Sequence, residues 1–372
     1  MEWMRRVRAQ RAMAHMKAKT GPEVEVSEVV MEEGLGQFSQ SEKSTSRWRL
    51  PSYRKSSLGS EEPPTTGLSK IVSSWVEPGT ATPAPPSWYP DFSRDIIPKA
   101  IHSHNDYWRQ VPLFEALSDG VTGVEADVHL INGELYVAHS NSSIRTNRTL
   151  RSLYLDPLTS ILNNQNSDNG TNNSTSIKGV WDVDPSRTLV MMIDMKTEGT
   201  ATFDAVQEQL TPLREKGWLT VWNGTSIIPG PITVVGTGNT PFSSVLNSTS
   251  TNSTYRSIFF DAPLNNLSSA YNISNSYYAS TSITALFGGP HKFPLSGLTQ
   301  TQLATLKTQT TRASELGLVS RYWDIPGWPV VRMMTIWRQL EELQVGMLNA
   351  DAIDEAARFN WRWCNILGLQ LC

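Results

Sequence analysis

Val121-Thr-Gly-Val-Glu-Ala-Asp-Val-His-Leu130 decides how this chain is read. It is a β-branched apolar run carrying two acids, Glu125 and Asp127, two positions apart. Residues two apart on a strand share a face, so both carboxylates emerge together while Val124, Ala126 and Val128 take the other side. Burying an unpaired charge is expensive. Two neighbouring carboxylates also repel unless a cation bridges them or one holds a proton.

Working outward, similar short runs recur from Pro98 onward, each closing on a polar or glycine-bearing corner. They cover 100–104, 121–130, 188–196, 219–222, 232–238, 257–261, 318–324 and 345–351. Several are nearly continuous apolar stretches, as strands buried on both faces should be. Helical spacing appears at 203–216, 299–316, 330–343 and 351–359, as with Leu303, Leu306, Ala313 and Leu316. Eight strands with interleaved helices fit a TIM (β/α)8 barrel over 96–372, an α/β fold. One gap stands out, because 223–231 is too short for a helix between the fourth and fifth runs. The Asn- and Ser-dense stretch 163–177 reads as an insertion loop. A doubly wound sheet would carry a glycine-rich phosphate turn after its first strand, and His102-Ser-His-Asn-Asp-Tyr107 is not one.

Active groups of such barrels lie at the C-terminal ends of the strands. Those ends read His102-Ser-His104-Asn-Asp106, Glu125-Ala-Asp127, Asp194-Met-Lys196, Arg321-Tyr-Trp-Asp324 and Asn349-Ala-Asp351. Glu125, Asp127 and Asp194 offer three hard oxygen ligands suited to a divalent metal, Mg2+ or else Ca2+. The alternative is salt-bridging of these acids to Lys196 or Arg321. His139 follows in Glu134-Leu-Tyr-Val-Ala-His139, the return arm of a hairpin around Ile131-Asn-Gly133. A three-residue loop pairs Leu130 with Glu134 and puts His139 opposite Glu125, whereas a two-residue loop aims it away. Two imidazoles beside a metal suit phosphodiester cleavage. One takes a proton from the attacking oxygen or attacks phosphorus itself, and the other protonates the leaving alcohol. Lys196 adds a positive contact to phosphate. His102 and His104 both compete for the first position, and His129 and His291 read as structural.

The bulk numbers narrow the partners. With 32 basic and 35 acidic residues the net charge is −3, and no field points to nucleic acid. Thirteen Trp, most of them after residue 88, can fill a core or line an amphiphilic pocket. Residues 1–95 read as a disordered tail: a basic start to Thr20, then a Ser/Glu/Pro-rich stretch ending in Pro78–Pro86. No apolar run reaches the length of a membrane span and no signal-peptide core is present. Ten Asn-x-Ser/Thr sequons between Asn141 and Asn272 nevertheless point to a glycoprotein of a lumenal or secreted compartment. Cys364 and Cys372 are either free thiols or one disulfide clipping the C-terminal segment.

His104, Glu125-Ala-Asp127, His139 and Asp194-Met-Lys196 together resemble the PLC-like phosphodiesterase superfamily, which includes glycerophosphodiester phosphodiesterases and venom sphingomyelinase D-type phospholipases. The spacing typical of the venom group favours His104 over His102. More closely, His102-Ser-His-Asn-Asp-Tyr-Trp-Arg109, Val124–Val128, Glu134–His139 and Arg321-Tyr-Trp-Asp324 look like the fungal altered inheritance of mitochondria protein 6 family. The resemblance spans Pro98 to Cys372. It implies a TIM barrel, a divalent metal and phosphoric diester hydrolase activity, with His104 and His139 catalytic and Glu125, Asp127 and Asp194 as ligands. Lys196, Arg321 and Trp323 would contact a phospholipid or small phosphodiester, and a membrane surface or mitochondrial association fits the same family. No His-Arg-Gly follows the first strand, so glycerophosphodiesters are not inferred specifically. The competing expectation is a barrel that keeps the fold but serves as a lipid-binding scaffold.

Overall fold

The computed structural model describes residues 66–79, 91–167, 177–248, 255–358, 365–366 and 369–370. Nine strands make one sheet: β1 (Lys99–Ser103), β2 (Val121–Ile131), β3 (Glu134–Val137), β4 (Leu189–Met195), β5 (Ile232–Gly238), β6 (Ile258–Pro263), β7 (Ser276–Ser282), β8 (Val319–Trp323) and β9 (Met347–Ala350). Their order is β1-β9-β8-β7-β6-β5-β4-β2, and β1 also pairs with β2, so eight parallel strands close on themselves. This is a TIM barrel. β3 stands outside the ring as an antiparallel arm on β2.

Two of the expected strands need correction. The run 219–222 contributes no barrel strand: Val221–Trp222 pairs with Ile227–Ile228 in a separate small hairpin, tied to the barrel by a Leu219–Ile232 bridge. The missing member is β7, Ser-Tyr-Tyr-Ala-Ser-Thr-Ser, whose small polar residues disguise a buried strand. That exchange also removes the gap noted between the fourth and fifth runs.

Side-chain alternation sorts the residues into two cores. Facing the helices, Val124, Ala126, Met191, Ile193 and Val234 join the large outer core with Trp181 and Trp337. Val190, Met192, Val235, Tyr278 and Met347 form a second cluster in the barrel interior. Along the register Glu125 lies beside Met192, itself beside Val235, and one step further up Asp127 lies beside Asp194 and then Thr237. The interior is therefore apolar below and acidic above, the order a packed barrel with its site at the strand ends requires.

The helices follow their local signals. Gln300–Glu315 starts with a reciprocal cap: Gln302 N donates to Thr299 Oγ1, and Thr299 N donates to Gln302 Oε1. Val330–Glu342 buries Met333, Ile336, Trp337 and Leu340 at spacings of three and four. The expected tail is not structureless throughout. Gly67–Ser74 is a helix capped by Thr66, its N-terminal amides on Asp91 and Phe92 carbonyls, with Leu68 and Phe92 fully buried. Two large apolar side chains that reach the core offset the ordering entropy of this short piece. The basic stretch 1–20, both cysteines and most of the insertion loop lie outside the described residues, as do Asn169, Asn172, Asn173 and Asn252.

Candidate active site

The hairpin of β2 and β3 turns through Asn132 and Gly133, both at positive φ (51° and 84°), the geometry of a two-residue turn. Ile131 therefore pairs with Glu134 and Val128 with Val137, one residue away from the expected register. An uninterrupted arm in this register would point His139 away from Glu125. β3 stops at Val137 instead. Ala138 N still donates to Asp127 O, and the chain then leaves the ladder, which swings His139 Nδ1 to 3.1 Å from Asp127 Oδ2.

Asp127 and Asp194 are direct neighbours on adjacent parallel strands. One oxygen from each of Glu125, Asp127 and Asp194 lies within 4.8 Å of the others. Both salt bridges weighed against metal binding are present. Lys196 Nζ donates to Asp194 Oδ2 at 2.6 Å and lies 3.1 Å from Asp127 Oδ2. Arg321 Nη2 donates to Glu125 Oε2 at 3.0 Å. These pairs use one oxygen per carboxylate. Tyr107, His139 and Lys196 all converge on Asp127 Oδ2. The buried Oδ1 atoms of Asp127 and Asp194 have no hydrogen-bond partner, a costly arrangement for an ionised group. Hard, buried, unpartnered carboxylate oxygens fit a divalent cation. Gly238, at φ +65°, leaves room for them, because a Cβ there would collide with Asp194 Oδ1.

The electrostatics follow from these contacts. Burial alone would raise Glu125, but the Arg321 guanidinium overrides it and holds the carboxyl well below the usual range. Burial and the charge of Asp127 push Asp194 up, with Lys196 opposing. Burial lowers Lys196, while Asp194 and Asp127 more than compensate and leave it raised.

The geometry separates the two histidines of β1 and its loop. His102 is fully buried inside the barrel, 3.4 Å from Glu125 Oε2 and 3.3 Å from the Tyr278 hydroxyl. Burial and the neighbouring Arg321 pull its pKa down to about 3, so it stays neutral. His104 reaches the mouth, where Nδ1 donates to Asp351 Oδ1 at 2.8 Å. Burial pulls His104 down, yet the hydrogen bond to Asp351 and the charge of Glu125 outweigh it, and its pKa is raised. Trp323 flanks His104 with ring centroids 6.3 Å apart, and Trp108 flanks His139 at 5.2 Å.

Arg321 departs from its expected place. Its side chain is 2% exposed and is engaged by Glu125, by Asn349 Oδ1 at 2.9 Å and, more distantly, by Ser280 Oγ. It is a buried counter-ion to Glu125, and its hydrogen bonds run to side chains of the barrel interior. His129 is structural as expected, with Nε2 3.0 Å from Ala138 O.

Several residues at the site were not singled out from sequence. Tyr107 has Asn105 Oδ1 and Asp127 Oδ2, each at 2.8 Å, as acceptors for its one proton. Asp351 orients His104. Asp261, within β6, accepts from Thr237 Oγ1 at 3.0 Å and is pushed up to about 6 by burial. Asp106 anchors the loop after β1 by accepting from Leu113 N and the Tyr154 hydroxyl. Tyr107 and Asp351 both lie in quoted strand-end motifs, so position was the available signal and chemistry alone could not rank them.

Residues 90–261 match the family described as AIM6-like phosphodiesterase domain. A homolog of altered inheritance of mitochondria protein 6 from Arthroderma benhamiae is 38% identical over 276 residues, covering 72% of this chain and 86% of its own. The Kluyveromyces lactis protein of that name is 33% identical over 304 residues, covering 71% and 72%. A Saccharomyces cerevisiae counterpart is 35% identical over 279 residues, covering 70% of each. With a closed barrel, an acid cluster at its mouth and relatives matched over most of their length, the chain belongs to the altered inheritance of mitochondria protein 6 family.

Proposed function

We propose that this protein is a metal-assisted phosphoric diester hydrolase acting on a phospholipid or a related small phosphodiester. One observation carries the reading. Two imidazoles approach the acid cluster, and each has its Nδ1 against a carboxylate, His104 on Asp351 and His139 on Asp127. That arrangement fixes the tautomer and frees both Nε2 atoms for proton transfer. The raised pKa of His104 suits it to hold the proton destined for the leaving alcohol as the P–O bond breaks. His139 takes the proton of the attacking water as the new O–P bond forms. Lys196 offers charge to the phosphoryl oxygens, and Trp108 and Trp323 form walls beside the two histidines. Glu125, Asp127 and Asp194 would hold the cation, Mg2+ by preference, whose chemistry is neutralisation of charge building on the phosphoryl group.

A scaffold without turnover is the second reading, favoured by Lys196 bridging Asp127 and Asp194 much as a cation would. Hydrolysis of bis(p-nitrophenyl) phosphate decides between them. The enzyme reading expects turnover that rises with Mg2+, stops with EDTA and is absent in Glu125→Ala. Wild type no faster than Glu125→Ala, or indifferent to EDTA, would falsify it. Among the described residues no helix is long and apolar enough to cross a membrane. Asn141, Asn247 and Asn266 are exposed, consistent with glycosylation in a lumenal compartment, whereas the Asn147 amide is engaged by Pro78 O.

A further inference from the structure

The chain leaving β8 passes from the site to an apolar knob. Trp323, beside His104, is followed by Asp324-Ile-Pro-Gly-Trp328-Pro-Val-Val331 and the helix Val330–Glu342. Trp328 is 75% exposed and Val331 66%, with Val330 and Met334 also in solvent. A Cβ placed on Gly327 would meet nothing within 4 Å, so the tip of this loop stands clear of its surroundings. Apolar exposure is confined to the first turns of the helix. Further along, the solvent side carries Arg338 and Glu342, while Met333, Ile336, Trp337 and Leu340 pack inward. A helix following a barrel strand begins on the face where the site opens, so the knob and the two imidazoles share one face.

Two cations lie beside the knob. Arg332 donates to Trp328 O and Phe293 O, which places it and the exposed Lys292 on either side of that contact. Neither is paired with a carboxylate among the described residues. Of the acids on this side, Asp351 is held by His104 at the mouth, and Asp324 turns to the Ser282 and Thr284 hydroxyls. An exposed Trp and aliphatic cluster flanked by Lys292 and Arg332 matches the chemistry of a bilayer interface, where indole sits at headgroup depth and Lys or Arg meets lipid phosphates.

We infer that Trp328, Val330, Val331 and Met334 seat the protein on an anionic lipid surface, with Lys292 and Arg332 on the headgroups. The site's mouth then faces the phosphodiesters of that bilayer. In naming a bilayer phospholipid as substrate, this inference rests on the phosphodiesterase reading; the docking itself does not.

The test is co-sedimentation of the full chain with phosphatidylcholine vesicles, with and without phosphatidylserine, in EDTA so that no turnover is needed. Wild type pellets with the phosphatidylserine vesicles. Trp328→Ala combined with Val331→Ser lowers that binding about tenfold, and Lys292→Gln weakens the preference for phosphatidylserine. Melting temperature and turnover of a soluble diester stay at wild-type levels in both variants. Wild type left in the supernatant, or a double variant that pellets equally, overturns the inference. Equal binding to phosphatidylcholine alone overturns the anionic assignment. A wild-type dimer in equilibrium sedimentation that the double variant dissolves assigns the knob to self-association and overturns the lipid occupant. Wild type that binds vesicles but cleaves no diester keeps the docking and removes the phosphodiesterase reading.

Discussion

Replacing Arg321 with methionine removes a guanidinium that is 2% exposed and 3.0 Å from an almost equally buried Glu125. Methionine is close in length and apolar, so packing changes little and the lost charge dominates. Breaking a buried pair by deleting one partner costs about 3–5 kcal/mol, because the remaining charge is left buried alone. At about 2–4 °C per kcal/mol for a domain of this class, the melting temperature should fall by roughly 6–20 °C. The effect carries a pH signature. Glu125 has a folded pKa depressed below the unfolded value of about 4.3, so its contribution is complete above that pH and is lost as pH falls through the folded pKa. The gap between wild type and Arg321→Met is therefore widest near neutrality and narrows in acid. Adding Glu125→Gln removes the stranded charge and should recover part of the loss. Calorimetry at neutral pH and at about pH 3, inside the window where the contribution is being lost, provides the reading. A single variant that melts with wild type, or a double variant less stable than the single, refutes the argument that Arg321 acts as the counter-ion of Glu125.

The remaining predictions concern the mouth. Asp351→Asn should lower the His104 pKa, since the hydrogen bond to Asp351 is what lifts it above its ordinary value. Turnover by a protonated His104 would then be lost at lower pH, moving the basic limb of the kcat/KM profile acidward, and an unmoved limb excludes His104 as the acid. The same pair contributes stability that is present below about pH 6.5 and fades as pH rises through the folded pKa, so the wild-type advantage should shrink in alkali. Mg2+ at a hundredfold over its dissociation constant should raise the melting temperature by roughly 5–11 °C, from about 2.7 kcal/mol of linkage. Asp194→Asn should abolish most of that shift in thermal denaturation, and an equal shift in the variant places the ion elsewhere.

Legibility in the sequence tracked how closely each element obeyed a local rule. β2, β4 and β5 are apolar runs buried on both faces and were visible at once. β7 was not, because its Ser280 turns inward to Arg321 and its Tyr278 to His102, so a strand serving a polar interior reads as loop. The run 219–222 erred the other way, its apolar content belonging to a small hairpin beside the barrel. At the site, strand alternation alone put Glu125 and Asp127 on one face. Which of His102 and His104 reaches the mouth depended on where β1 ends, and the partnership with Asp351 spans nearly the whole domain. Charge at a strand end suggests that Arg321 meets a substrate, while the closed barrel buries it against Glu125.

The hairpin that carries His139 has a consequence for how such a protein can change. The acids belong to the ring: moving Asp127 or Asp194 means re-registering two adjacent staves of the barrel. His139 hangs from an arm that the ring does not need for closure, positioned by a two-residue turn and an early exit from the ladder. Insertion or loss of one residue there would withdraw an imidazole and leave the eight strands closed. Descendants of this barrel can therefore keep their fold and their acid cluster while losing the imidazole at the rim, provided the edit falls beyond the buried Leu135 and Val137 of the arm.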